Sequence, residues 1–99
     1  MLNISKKTEN ETLTYQLEGR LDSVTSPDLQ ADMQTALENA NELVIDMEKL
    51  DYISSAGLRV LLYAHNIMTE KGGMKVTHVN PIIMEIFEVS GFSEELTIE

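Results

Sequence analysis

Leu13, Tyr15 and Leu17 alternate with Thr12, Thr14, Gln16 and Glu18, the period of two expected of a strand with one buried face. Leu2, Ile4 and Lys6 repeat that spacing more weakly. The polar Thr8-Glu9-Asn10-Glu11 between them is short enough for a hairpin, which predicts an antiparallel pair. Ser26-Pro27-Asp28 then reads as a helix start, with Ser26 as cap, proline at a position needing no donor and a carboxylate at the positive end. Leu29, Met33, Ala36, Leu37 and Ala40 follow at helical spacing, opposite Gln30, Asp32, Gln34 and Glu38, and Asn39 to Asn41 ends the helix.

Leu43-Val44-Ile45-Asp46-Met47 is an apolar run that predicts a central strand buried on both faces, with a turn through Glu48-Lys49-Leu50-Asp51. From Ser55 the spacing becomes helical until Lys71, where Gly72-Gly73 supplies a left-handed stop. Met74, Val76 and Val79 predict a strand. Asn80-Pro81 starts a helix with Ile83, Ile86 and Phe87 on its apolar side, Gly91 ends it, and Leu96-Thr97-Ile98 suits a last strand. This order predicts an α/β fold, a mixed β-sheet with helices packed on it, whose later strands are joined by right-handed parallel crossovers.

Composition narrows the function classes. A 99-residue chain that is 42% hydrophobic suits one domain over residues 1–99, burying about two-thirds of its unfolded surface. Seven basic against seventeen acidic residues give a net charge of −10, which repels nucleic acid and anionic membrane surfaces. The absence of cysteine excludes disulfides and thiolate metal sites. Met1-Leu2-Asn3-Ile4-Ser5 has no basic region leading into an apolar one, and no run approaches the roughly 18 apolar residues of a spanning helix. The expectation is a soluble, cytoplasmic protein.

The segment Asp51 to Val60, DYISSAGLRV, sets Ser54 and Ser55 at a helix entrance, where either hydroxyl can cap a free amide. Stepping 100° per residue from Ser55 gathers Val60, Leu61, Ala64, Ile67 and Met68 on one side and Ser55, Arg59, Leu62 and Asn66 on the other, outward side. Free amides and the positive dipole end favour a phosphate on such a serine, and its roughly −1.5 to −2 charges would disrupt a fitted interface. Catalysis fits poorly. His65 lies about 15 Å along the same helix from Ser55, too far to act as its base, and the nucleophile-elbow glycines are missing because position 53 is isoleucine.

Glu70 to Lys75 has the glycines and lysines of a phosphate loop without its spacing, so it reads as a helix end and turn. Asp46 and Asp51, five residues apart across a strand end, could meet a cation but make a poor metal site, so neither a metal nor a cofactor is expected.

Asp51 to Leu58, with Ser55-Ala56-Gly57-Leu58 opening the helix, resembles the phosphorylation segment of bacterial anti-sigma factor antagonists, the STAS domain family. Leu17-Glu18-Gly19-Arg20-Leu21-Asp22, Leu43-Val44-Ile45-Asp46 with Leu50, and Gly91-Phe92 resemble the family's segments at corresponding places, so the likeness covers nearly the whole chain. Ser54 stands where many members carry a carboxylate, and Ala56 where a second hydroxyl is often found.

The resemblance implies a non-enzymatic STAS protein in a partner-switching circuit. Unphosphorylated, it binds an anti-sigma factor that is also a serine kinase and so frees the sigma factor; a serine phosphatase of the PP2C type reverses the modification. The implied phosphoacceptor is Ser55, and the implied partner face comprises Asp22, Ser54, Ser55, Gly57, Arg59 and Leu62. The alternative is a STAS regulatory subunit of a transporter or sensory complex that is not controlled by phosphorylation.

Overall fold

The computed structural model describes residues 1–99. Strand β1 (Leu2–Glu9) pairs antiparallel with β2 (Thr12–Leu21). Their turn is the two residues Asn10 and Glu11, with φ of 52° and 66°. Both are left-handed, as in the turn whose twist matches paired strands.

Helix α1 (Ser26–Ala36) ends in a single 3₁₀ turn over Leu37–Asn39. It is followed by β3 (Glu42–Ile53), α2 (Ser55–Met68), β4 (Met74–Thr77), α3 (Pro81–Ser90), a short α4 (Phe92–Glu95) and β5 (Thr97–Ile98). The five strands lie in sequence order, and β2 to β5 pair in parallel. The expected mixed sheet with helices packed on it is what forms; α4 had no sequence signal of its own.

One face of the sheet carries the core. Leu13, Tyr15 and Leu17 of β2, Leu43, Ile45 and Met47 of β3, and Met74 and Val76 of β4 are buried with Leu29, Met33, Leu61, Ile83 and Phe87 of the helices in one cluster. Val44 and Asp46, between the buried positions of β3, are only half-buried. The expectation that β3 is buried on both faces is therefore wrong: Leu43, Ile45 and Met47 point into the core, and Val44 and Asp46 point away. The smallest dimension, 19 Å, suits a sheet and one helix layer of about 10–12 Å diameter.

The expected turn at Glu48 to Asp51 is also wrong, because β3 continues through it to Ile53. Register shifts between Gln16 and Glu18 and between Gly19 and Arg20 accommodate one extra β3 residue each time. Leu50 and Ile53 thereby stay on the core face despite their three-residue spacing.

Ser26 does not cap α1. The N-cap position is Thr25, and the Ser26 hydroxyl is buried without a hydrogen-bond partner. The preceding turn holds the helix start instead: Asp22 Oδ1 accepts from the Val24 and Thr25 amides at 3.0 Å each, and Thr25 Oγ1 donates to the Arg20 carbonyl at 2.8 Å. At the other end, Lys71 Nζ donates to the Leu37, Glu38 and Ala40 carbonyls, a cation on the negative end of α1. That contact gives the Glu70 to Lys75 segment a structural role.

Tyr15 Oη donates to Asp32 at 2.6 Å, and Lys6 Nζ reaches the same carboxylate at 3.0 Å, tying α1 to β1 and β2. Burial, then the bond and charge of Asp32, push the Tyr15 phenol well above its ordinary value. Burial opposes ionisation of Asp32, but the Tyr15 and Lys6 bonds outweigh it and hold the carboxyl below the usual range.

Helix α2 stops at Met68, three residues before the expected Lys71, and a turn carries the chain to Gly73 with φ of 99°. Val79 falls outside β4. The start and end of α3 agree with expectation: Asn80 Oδ1 accepts from the Ile83 amide at 2.9 Å and Gly91 is left-handed.

Candidate functional site

Parallel pairing brings the carboxyl ends of β2 and β3 together, with Leu21 opposite Ile53. The chain leaves β2 into the Asp22 turn and β3 into Ser54. The Ser54 amide donates to the Leu21 carbonyl at 2.9 Å, so the start of α2 is tied to the residue preceding Asp22.

Gly57 makes that approach possible. A Cβ there would lie 2.8 Å from Ile53 Cγ1, 2.9 Å from Leu21 Cγ and 3.0 Å from the Leu21 carbonyl oxygen. The first turn of α2 sits directly against the end of β2, and a side chain would push it away.

The two serines divide the work. Ser54 is the N-cap, with extended backbone, and its Oγ accepts from the Gly57 amide at 3.4 Å. The expectation that Ser55 can also cap is not met: Ser55 is already the first helical residue, exposed, and its hydroxyl makes no hydrogen bond. A cap needs backbone outside the helix so that its side chain can fold back onto the first amides, and only Ser54 has it. The Ser55 and Ala56 amides have no partner within the helix, and no acidic residue occupies this first turn.

Asp22 is half-buried beside this turn. The Thr25 amide has the largest influence on its carboxyl and lowers its pKa; burial opposes, and the Val24 amide and Thr25 hydroxyl reinforce the lowering. Asp22 is therefore a fixed negative charge. Arg20, 3.8 Å from Asp22 Oδ2, lies over the Tyr52 ring at 4.3 Å. Sequence reading missed this Arg20–Tyr52 pair, since only the strand register sets the two residues opposite each other.

Arg59, one turn after Ser55, is exposed and has no ion-pair partner. It borders an open groove of about 330 Å³ between α1 and α2, lined also by Ser23, Ser26, Gln30, Gln34 and Val60. Leu62 is half-exposed and does not pack on the core, in keeping with the outward side. Of the inward set, Val60, Leu61, Ala64 and Met68 are buried, Ile67 only in part, and Leu58 joins them.

His65 makes no hydrogen bond to either serine, and Asp46 faces His78 at 3.1 Å. The site thus presents an exposed, unbonded hydroxyl at the first helical position of α2, with neither histidine hydrogen-bonded to it.

Comparison with known proteins agrees with this architecture. The model of the STAS domain matches residues 3–99. The chain belongs to the STAS domain family.

Among STAS relatives, BtrV of Bordetella bronchiseptica, described as a candidate anti-sigma factor antagonist, is 37% identical over 78 residues, covering 77% of this chain and 67% of that protein. The anti-sigma F factor antagonist of Paenibacillus polymyxa is 29% identical over 100 residues, covering 98% and 86%. Among solved STAS folds, an anti-sigma factor antagonist from Mycobacterium paratuberculosis superposes with a TM-score of 0.89 at 18% identity, covering 99% of this chain and 85% of that one. No helix is long and apolar enough to cross a membrane.

Proposed function

We propose that this STAS protein is an anti-sigma factor antagonist switched by phosphorylation of Ser55. Unphosphorylated, it binds an anti-sigma factor of the serine-kinase type through Asp22, Ser54, Ser55, Gly57, Arg59 and Leu62, and so frees the sigma factor. The kinase then transfers a phosphoryl group: the Ser55 Oγ–phosphorus bond forms as the β–γ bridge of ATP breaks, ADP leaves, and the hydroxyl proton passes to the kinase. A PP2C-type phosphatase resets the switch by hydrolysis.

The observation that carries this reading is the division of labour at the helix start. Ser54 takes the capping role, so modifying the exposed Ser55 sacrifices no bond of the fold. The added charge lands on free amides at the positive end of α2, where it is stabilised, while facing a partner that must desolvate it.

The test compares unphosphorylated protein with Ser55→Asp for binding to the cognate anti-sigma factor. Ser55→Asp is expected to weaken binding while stability stays within about 1 kcal/mol, because a carboxylate is tolerated at a helix start. Unaltered binding by Ser55→Asp, with no modification of Ser55 by kinase and ATP, would favour a transporter or sensory STAS subunit instead.

A further inference from the structure

Seven basic side chains serve seventeen acidic ones in this chain. Lys6, Lys7, Arg20 and Lys75 face carboxylates, and Lys71 is held by backbone carbonyls. Lys49 and Arg59 have no such partner despite the excess of acid, and of the two only Arg59 borders the groove between α1 and α2. That groove has no carboxylate in its lining either, only hydroxyls, side-chain amides and apolar groups. At the same place Ser26 is 2% exposed, and its hydroxyl is buried without a partner, a desolvated donor waiting for an acceptor. Helices α1 and α2 both start at the carboxyl end of the parallel strands, so two positive dipole ends add to Arg59.

Ser55 stands one helical turn before Arg59, about 6 Å along the axis, on the same side of the helix. We propose that the groove between α1 and α2 is a phosphoryl-binding site, and that the phosphate esterified to Ser55 is its occupant, held by Arg59 with Ser26 as the inner donor. This rests on Ser55 being the modified residue. Its consequence is a switch with two parts: phosphorylation adds roughly −1.5 to −2 charges and withdraws the unpaired Arg59 from any partner.

The experiment installs phosphoserine at position 55 by genetic encoding, without a kinase. Refusal of Ser55 by a kinase would then count against the proposed function and leave the latch independently tested. Only Arg20 and Arg59 contribute arginine Nε signals, and Arg59→Gln identifies the second. Phosphoserine is expected to shift the Arg59 signal and slow its proton exchange while Arg20 stays in place. Phosphorylation should also raise the melting temperature by roughly 4 °C more in the parent than in Arg59→Gln, with a smaller loss of that gain in Ser26→Ala. An unmoved Arg59 signal, or the same gain in all three backgrounds, overturns the proposal. Inorganic phosphate added to the unphosphorylated protein at millimolar concentration should leave Arg59 unmoved; a full shift would assign the groove to free phosphate and overturn the covalent occupant.

Discussion

Replacing Ser54 and Ser55 in turn by alanine separates cap from acceptor. Ser54→Ala removes the Oγ that receives the Gly57 amide, which then loses its side-chain acceptor at the edge of a buried turn. Cap removal costs about 0.5–2 kcal/mol. The 3.4 Å bond is longer than the roughly 2.9–3.0 Å optimum, which argues for the lower half of that range, about 1 kcal/mol. In a domain of this size that is a fall of about 4–8 °C in melting temperature. Ser55→Ala removes a hydroxyl with no partner and places the best helix former at the first helical position, so its cost should stay within about 0.5 kcal/mol. Thermal and urea unfolding followed by circular dichroism measure both. An equal or larger cost for Ser55→Ala would refute the assignment of the cap to Ser54.

Gly57→Ala forces a methyl against Ile53, Leu21 and the Leu21 carbonyl. A clash of about 1–3 kcal/mol should exceed the roughly 1 kcal/mol gained in helix propensity, so urea unfolding should show net destabilisation and partner binding should weaken. Tyr15→Phe keeps the buried ring but removes the bond to Asp32; because Lys6 and water still serve that carboxylate, the loss should be about 1–2 kcal/mol at neutral pH. The folded state binds the Asp32 proton more weakly than the unfolded chain does. Its stabilisation is therefore present above the unfolded pKa near 3.9 and drains as pH falls through the lower folded value, so the parent–variant difference should shrink in acid. Glu11→Gly relieves a left-handed glutamate in the hairpin turn and should raise stability by up to about 1 kcal/mol, read as a higher melting temperature.

Local signals survived folding where nothing distant competed with them. Leu13, Tyr15 and Leu17 fixed the face of β2, and Asn80-Pro81 with Gly91 marked both ends of α3, because those devices act within a few residues. Glu48 to Asp51 misled, since a mostly polar stretch after an apolar run resembles a turn until pairing with β2 reveals the bulges that carry β3 through it. Ser26 carried every mark of a cap, but the Asp22–Thr25 turn sets the entry angle of the chain and displaces it. At the candidate site, DYISSAGLRV and Asp22 were legible as a segment and a charge. That Gly57 docks on Leu21, or that Ser23, Gln30 and Gln34 of one helix share a groove with Arg59 of another, depends on how the elements pack.

In the proposed switch the phosphoryl group is carried by Ser55 and not by its capping neighbour. Incubation with the cognate anti-sigma kinase and ATP, with fragmentation mass spectrometry of the product and a binding measurement on the same sample, tests it most directly. The expected result is a single phosphoryl group on Ser55, none on the Ser55→Ala protein, and loss of the complex on modification. Phosphate on Ser54, or a stable complex with Ser55 fully phosphorylated, would contradict it.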